Sequence, residues 1–277
     1  MEPTAAETRP ENQWAELAYE AIAPVYDDFT SHHDYELWLG NLLPKLEHHR
    51  LQGSRLLDVG CGTGKSFIPM LERGWEVTAC DISESMLALA RQKVGKSADL
   101  SVADMRELPE LGEFDLVWAL DDAVNYLLDR EELEAALTGM ARNLAPHGLL
   151  MFDVNTLNAY RNFFAETQVV EQGGWRMTWN GLAGPNQAPG SISESRLEVE
   201  ASGPSADNSG DDATRFREGV ETHVHRQRHF PEAEVLAAIE RAGLKCLDVF
   251  GHGHDAVPHQ PVDELDHMKA VYIARLS

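Results

Sequence analysis

The architecture of this chain turns on the nonapeptide Leu56-Leu57-Asp58-Val59-Gly60-Cys61-Gly62-Thr63-Gly64. An apolar run carrying one acid gives way to three glycines at alternate positions. The run has the composition of a parallel strand buried on both faces. The glycines spell a tight turn, because a residue without Cβ adopts positive φ readily and lets a ligand lie against the backbone. Beyond the turn, residues 63–73 suit a helix whose first N–H groups would face that ligand. Strand, glycine turn and helix form the opening unit of a nucleotide-binding α/β sheet.

Spacing separates the ligand classes that use such a unit. Dinucleotide turns read G-x-G-x-x-G, but here the third glycine arrives one residue early and Lys65 stands in its place. Phosphate-cradling loops read G-x-x-x-x-G-K-[ST]. Gly64-Lys65-Ser66 supplies the end of that pattern, yet Val59 stands where its first glycine belongs. G-x-G-x-G two residues after an acid fits without exception. The stretch resembles motif I of the class I S-adenosylmethionine (SAM)-dependent methyltransferases. The resemblance spans about residues 15–277, and its specific motifs lie in 55–155, including Leu144-Ala145-Pro146-His147-Gly148 before the fifth strand. It implies an α/β, Rossmann-like seven-stranded sheet ordered 3-2-1-4-5-7-6, with the seventh strand antiparallel and SAM as the methyl donor.

Composition narrows the partners. Acids outnumber bases 46 to 23, for a net charge of −23. A nucleic-acid ligand needs a basic footprint, and no Lys/Arg cluster stands out, so the acidity reads as a solvated surface. A length of 277 residues with 43% hydrophobic content suits one large domain, or one domain with an insert. No apolar run approaches the ~18 residues of a membrane span, and residues 1–10 lack the apolar stretch of a signal peptide. Cys61, Cys80 and Cys246 show no CxxC spacing, so a cytoplasmic setting is expected. Oligomeric state is not legible.

Taken in order, residues 1–10 read as a disordered tail and 11–50 as a helical cover. Residues 14–22 form an amphipathic helix that Pro24 should end, and 34–49 form a second. Strands follow at 55–59, 76–80, 99–102, 114–118 and 149–154, with Pro146-His147-Gly148 as a turn before the fifth. Ser83 should cap a helix over 84–94. The alternation then stops. Residues 168–171, 176–182, 193–200 and 215–230 read as antiparallel strands, with 202–212 a Gly/Pro/Ser/Asp-rich loop. The strands at 244–250 and 269–276, with a helix over 231–242, return to the sheet. The expected partition is a SAM-binding core of 51–155 and 231–277 with an insert of 156–230. Such an insert resembles that of the glycine, sarcosine and sugar-amine N-methyltransferases, where it forms a platform over the active site.

The site residues follow from these placements. Asp81 ends the second strand about 20 residues past the turn, where a ribose-binding carboxylate belongs; the plainer reading is a helix-capping acid. Asp58, Gly60, Cys61, Gly62 and Gly64 would border the methionine part, with Leu120 offering a carbonyl. Ile82 and Met86 would flank the adenine. By resemblance, Asp104 and Met105 would close around it, and Tyr26 and Trp38 would act from the cover. Those aromatics could equally pack the helices. SAM's sulfonium already activates its methyl, so holding a nucleophile in line can supply ~7–11 kcal/mol of the barrier. An oxygen or amine acceptor can also need a base. Asp122 is the candidate catalytic group, with Asp121, Asn125, Tyr126 and Asn155 as acceptor-pocket residues. Asp122 or Asn125 could instead cap local helix. His223, His225 and His229 share one strand face but span too much of one strand for a single ion, so no metal is expected.

The resulting expectation is methyl transfer to nitrogen or oxygen of a small metabolite. An NAD-type oxidoreductase and a non-catalytic SAM-binding protein are the alternatives. The tip of the fourth strand lacks the Asn/Asp-Pro-Pro-Tyr/Phe segment of base- and glutamine-modifying families.

Overall fold

The computed structural model describes residues 14–172, 174–201 and 221–277. Its centre is a sheet of β1 (Arg55–Val59), β2 (Glu76–Asp81), β3 (Ala98–Val102), β4 (Phe114–Ala119), β5 (Leu144–Asn155), β10 (Leu244–His252) and β11 (Lys269–Leu276). The strand order is β10-β11-β5-β4-β1-β2-β3, which is the order that the family resemblance implied. β11 runs antiparallel to both of its neighbours, while β1, β2, β3, β4 and β5 pair in parallel.

Alternation along these strands splits the core in two. Leu57, Val117, Leu150 and Phe152 face α5 (Arg130–Arg142) and α7 (Glu232–Arg241). Leu56, Leu116, Leu149 and Met151 pack with α2 (Tyr35–His48), α3 (Ile68–Glu72) and α4 (Glu84–Val94). Side chains of successive strand residues point to opposite faces, so a sheet covered on both sides is apolar at nearly every position. Burying each Leu or Ile there contributes roughly 1.5–3 kcal/mol.

A second sheet, ordered β6-β7-β8-β9, follows α6 (Leu157–Arg161) and comprises β6 (Thr167–Gln172), β7 (Trp175–Gly181), β8 (Ile192–Ala201) and β9 (Glu221–Arg228). All its pairings are antiparallel. Met177, Trp179, Leu197 and Val199 close against Ile22, Ala23 and Val25 of α1 (Trp14–Phe29), forming a third cluster. The expected tail at 1–10, the loop at 202–212 and the start of the strand at 215–220 lie outside the described residues. Among the described residues, no helix is long and apolar enough to cross a membrane.

Three local expectations are corrected. Pro24 does not end α1, which runs on to Phe29 with Pro24 inside it. A proline removes one intrahelical hydrogen bond, and burial of Ala23 and Val25 just there outweighs that loss. The helix expected at 63–73 begins only at Ile68, with a proline in its first turn. Lys65 and Ser66 are drawn off instead, Lys65 Nζ to Thr30 Oγ1 at 2.7 Å and Ser66 Oγ to Asp58 Oδ2 at 2.5 Å. Pro146-His147-Gly148 lies inside β5, not ahead of it. The register against β4 jumps there, from Phe114↔Leu144 to Leu116↔Leu149. A bulge absorbs the extra residues.

A Cβ at Gly148 would stand 2.6 Å from the Phe114 carbonyl oxygen. Gly148→Ala is therefore expected to destabilise by about 1–3 kcal/mol. That corresponds to several degrees of Tm at roughly 2–4 °C per kcal/mol for a chain of this size. Scanning calorimetry checks this, and an unchanged Tm would show that the bulge yields.

Candidate active site

The carboxyl ends of β1, β2 and β4 open onto a cleft of about 1100 Å³. Its floor is the glycine turn, with Gly60 at φ 76° and Gly62 at φ 53°, conformations that L side chains rarely hold. Gly60, Cys61 and Gly62 line the cleft with Asp81, Ile82, Asp104, Met105 and Leu120, and Trp14, Tyr19 and Tyr26 of α1 line it as well. A Cβ on Gly60 would meet the Ala123 Cβ at 3.0 Å, which binds the turn closely to the β4 tip.

Four of the turn's five amides are already engaged. Gly60 N–H and Cys61 N–H both donate to the Cys80 carbonyl at 2.8 and 3.0 Å, and Gly64 N–H donates to Cys61 O at 2.9 Å. Gly62 N–H donates to Asp81 Oδ2 at 2.7 Å, and Ser83 N–H to Asp81 Oδ1 at 2.9 Å. A pyrophosphate needs such amides free, and a helix N-terminus beside them. The cleft instead presents a carboxylate with lone pairs left over, since each of the two oxygens takes one N–H and has room for another donor. Burial pushes the Asp81 carboxyl up, against the opposing pull of the Ser83, Gly62 and Ile82 amides. This acceptor fits a nucleoside without phosphate, whose hydroxyls would donate to Asp81. That is the chemistry of SAM's ribose.

Four residues expected at the cofactor lie elsewhere. Met86 is fully buried in the cluster between α1 and the second sheet, because the Ser83 cap turns that face of α4 beneath α1. Gly64 is shaped by the Phe67 ring, whose Cζ would lie 2.9 Å from an added Cβ. Asp58 is 1% exposed beneath the turn, bonded to Ser66 rather than to glycine amides. Trp38 packs against Tyr35 and His252, in the wall of a second cavity. Asp104 does line the cleft, but Arg106 binds its carboxylate in a 2.5 Å ion pair and continues to Glu132 at 2.8 Å.

The second cavity, of about 1670 Å³, lies between α1, α2 and the insert. Aromatic rings supply much of its wall, among them Phe29, Trp38, Phe163, Phe164 and Trp179. Tyr19, Tyr26, Tyr35, Asp121 and Tyr126 line both cavities, so the two meet there. Asp122 and Asn155 line the second cavity. Asn125 does not. It is fully buried, donates to Arg228 O at 2.8 Å and accepts from Asn155 N–H at 2.9 Å, acting as a strut from β9 to β5.

At the junction Lys269, the first residue of β11, meets three carboxylates: Asp121 at 3.0 Å, Asp122 at 2.8 Å and Asp153 at 2.9 Å. Asp153 also accepts the Asp121 and Asp122 amides at 2.6 and 2.9 Å. Those bonds hold both residues at positive φ, 61° and 54°. Burial would raise the Asp121 carboxyl, but Lys269 and His33 hold it well below the usual range. Burial raises Asp122 and Asp153, which share the same lysine and repel one another. Burial would lower Lys269, and its three partners keep it well above the ordinary value. Lys269 carries no sequence signal for this role. Asp153 was visible at the end of a strand, but nothing linked it to a lysine 116 positions on.

The histidines on and just after β9 diverge. His225 Nδ1 pairs with the Tyr126 hydroxyl at 2.9 Å, and His229 Nε2 lies 3.1 Å from Glu264. Among the described residues, no group of three or more His, Cys, Asp or Glu is placed to hold a metal ion.

Comparison with known proteins agrees with this geometry. A methyltransferase domain family matches residues 56–148. YqeM of Bacillus subtilis (strain 168), whose name assigns it provisionally to the methyltransferases, is 30% identical over 253 residues, covering 90% of this chain and 95% of its own. A dTDP-3-amino-3,4,6-trideoxy-alpha-D-glucopyranose N,N-dimethyltransferase of Streptomyces venezuelae is 31% identical over 133 residues, 47% of this chain and 56% of that one. A crystal structure of an S-adenosylmethionine-dependent methyltransferase from Clostridium acetobutylicum ATCC 824 superposes with a TM-score of 0.72 at 20% identity, covering 94% of this chain and 99% of that chain. The sheet order, the glycine turn and the carboxylate of Asp81 in the cleft agree with the binding of a nucleoside-bearing methyl donor. The chain belongs to the class I SAM-dependent methyltransferases. Its cofactor is SAM, and the dinucleotide oxidoreductase reading falls away.

Asp58 generates a test of the turn's electrostatics. Burial pushes its carboxyl up to about 7, against hydrogen bonds from Ser66 and Trp118. An unfolded Asp titrates near ~3.9. Between those values the folded chain holds a proton that the unfolded chain has released, so stability falls as pH rises from about 4 to about 7. Asp58→Asn should flatten the wild-type slope of urea-unfolding free energy over that interval. Parallel slopes would place Asp58 near its ordinary value.

Proposed function

We propose that this methyltransferase transfers the SAM methyl group to a nitrogen or oxygen of a small molecule held in the second cavity. The observation that carries the reading is the meeting of the two cavities at Tyr19, Tyr26, Tyr35, Asp121 and Tyr126. SAM supplies an electrophilic methyl carbon, whose bond to sulfur breaks with the pair left on sulfur as the acceptor's lone pair forms the new bond. The chain's own residues hold and align the two reactants.

In this reading Gly60, Cys61 and Gly62 border the methionine part, Asp81 binds the ribose hydroxyls, and Ile82, Asp104 and Met105 surround the adenine. Tyr26 and Leu120 close the methyl end. Residues 11–50 act as a cover and 156–230 as the acceptor platform on a core of 51–155 and 231–277. Three carboxylates around one lysine leave the junction net negative, and an aromatic wall attracts organic cations. Both features favour an amine-bearing acceptor with an apolar body. Relatives support both acceptor atoms: the Streptomyces venezuelae enzyme is an N,N-dimethyltransferase, and a Rhodobacter capsulatus relative, 32% identical over 115 residues, is a magnesium-protoporphyrin O-methyltransferase. The charge of −23 argues against a nucleic-acid acceptor.

Calorimetry with SAM and S-adenosylhomocysteine, followed by a labelled-methyl screen of small amines and alcohols, tests the function. Binding of both nucleosides without transfer to any small acceptor would count against it. Asp81→Ala is expected to weaken SAM binding at least about tenfold, because charge-assisted hydrogen bonds contribute about 1.5–3 kcal/mol each. Unaltered affinity would remove Asp81 from the ribose site. Asp122→Ala should lower turnover by a far larger factor than it changes SAM affinity. Equal losses, or none, would assign Asp122 a structural role.

A further inference from the structure

Beyond the end of β3, the donor cleft is lined by a carboxylate with little freedom to turn. Asp104 opens a short 3-10 turn, Met105–Glu107, by accepting the Arg106 N–H on Oδ1 at 2.9 Å. The Arg106 side chain then returns to the same carboxylate. Its Nε lies 3.0 Å from both oxygens and its Nη2 2.5 Å from Oδ2. A planar guanidinium thus meets a planar carboxylate as a fork, a pairing that fixes orientation as well as distance.

Arg106 is itself anchored. Its Nη1 donates to Glu132 Oε1 at 2.8 Å, and Glu132 Oε2 accepts the Leu128 N–H at 2.7 Å. Glu132 stands in the first turn of α5, where its own N–H donates to Asp129 Oδ1 at 2.8 Å. The next residue, Leu133, is fully buried in the core. Asp104, Arg106, Leu128 and Glu132 all line the cleft, so this chain of bonds runs along its wall from the β3 tip to α5.

The remaining lone pairs define what a ligand can use. An ionised carboxylate accepts at about four sites and donates at none. Burial would raise the Asp104 carboxyl, but Arg106 keeps it below the ordinary value, so it is ionised at neutral pH. The Arg106 fork takes one site on each oxygen, and the Arg106 N–H takes the second site on Oδ1. Oδ2 keeps one. The side chain is 29% exposed where it lines the cleft, within reach of a ligand.

We propose that Arg106 sets the nucleobase selectivity of the donor site: by tying Asp104 to Glu132 it leaves one fixed acceptor, which takes the 6-amino group of adenine and rejects a 6-oxo purine. This rests on the reading of Asp104 as a residue beside the adenine. A 6-oxo purine turns a carbonyl oxygen toward that acceptor, and two acceptors face to face leave both unpaired. The nearest donor on such a base is the adjoining N1–H. A carboxylate free to rotate would turn to N1–H and accept the wrong base; one locked in an arginine fork does not. Arg106 is therefore a positioning residue that acts through Asp104.

Calorimetry on the full chain with S-adenosylhomocysteine and S-inosylhomocysteine tests this without any methyl acceptor. The two ligands differ only at the 6-position and the adjoining N1. The wild type is expected to prefer the adenosyl ligand by about 100-fold or more, because a site built to bond an N–H rejects the analogue that lacks it. Arg106→Gln should bring that preference below about tenfold, the ratio left when a charge-assisted hydrogen bond no longer discriminates. Arg106→Lys keeps the charge but loses the fork, and should lose the preference as well; it decides the matter where Arg106→Gln does not fold. An arginine that only supports the fold would weaken both ligands alike, so an unchanged ratio in a folded Arg106 variant overturns the proposal. Asp104→Asn, whose amide nitrogen can donate to an oxo group, separates the proposal from the reading beneath it. A preference lost in Asp104→Asn but kept in the Arg106 variants overturns the role of Arg106 alone. A preference kept in Asp104→Asn, or absent from the wild type, overturns both.

Discussion

The site depends on one ammonium group placed among three carboxylates. Lys269 reaches Asp121, Asp122 and Asp153 within 3.0 Å, and in doing so ties the β4 tip to β5 and β11. Its position follows from topology. β1, β2, β3, β4 and β5 all point their carboxyl ends at the ligand, so only a strand running the other way can bring its first residue to that edge. β11 is that strand, and Lys269 is its first residue, in register with Asn155. Removing one partner from a buried ion cluster costs about 3–5 kcal/mol, chiefly from the charge left behind. The cluster also holds two successive non-glycine residues at positive φ. Strain of this kind persists only where its surroundings over-determine it, and here Asp153 does so by accepting both strained amides.

The same economy of hydrogen bonds shapes the donor cleft. A turn that offered its N–H groups outward would attract phosphate. This one directs the Gly60, Cys61, Gly62 and Gly64 amides to Cys80, Cys61 and Asp81. Asp81 thereby has two tasks, bracing the turn and facing the cleft. The negative potential it brings is tolerable for a nucleoside carrying a sulfonium and unfavourable for a pyrophosphate. The α1 cover is fixed to this floor by further polar contacts. Glu20 accepts from Ser83 Oγ at 2.9 Å, and Asp27 accepts from Thr63 Oγ1 and Lys93, each at 2.6 Å. The cover therefore bonds directly to the elements that touch the donor.

Much of this was legible in the chain. The glycine turn and the cleft-facing positions of Gly60, Cys61, Gly62, Asp81 and Ile82 follow from local spacing, because a strand and its turn are close in sequence, whereas the sheet order and the place of Met105 followed from the family resemblance. What failed was the assignment of direction and of distant partners. Asp58 and Gly64 belong to the motif, yet they serve the turn's interior. Met86 shares a helix turn with residues near the cleft, but the Ser83 cap sets that helix so that Met86 points under α1. Pro24 reads as a stop because local rules take no account of Ala23 and Val25 burying against the insert. Lys269 lies 147 positions from Asp122. A lone lysine at a strand start has no pattern, and its role exists only once β11 is threaded between β5 and β10.

The insert's last strand shows how the two cavities are made to act as one. Side chains alternate along β9, so His225 and Gln227 face the acceptor cavity while Arg226, between them, faces the mouth of the donor cleft. Arg226 lies over the Trp14 ring at 4.5 Å and bonds Glu194 at 2.7 Å. Gln227 reaches Asp122 and Asn155, and His225 reaches Tyr126. Pairing with β8 fixes this register through Ser195↔His225 and Ser193↔Gln227. A slip of one residue would exchange the two sets of contacts together. Since both cavities read the same strand from opposite sides, the register that completes the acceptor wall is also the one that sets Arg226 against Trp14 beside the donor. A change in the insert would therefore reach the nucleoside as well as the acceptor.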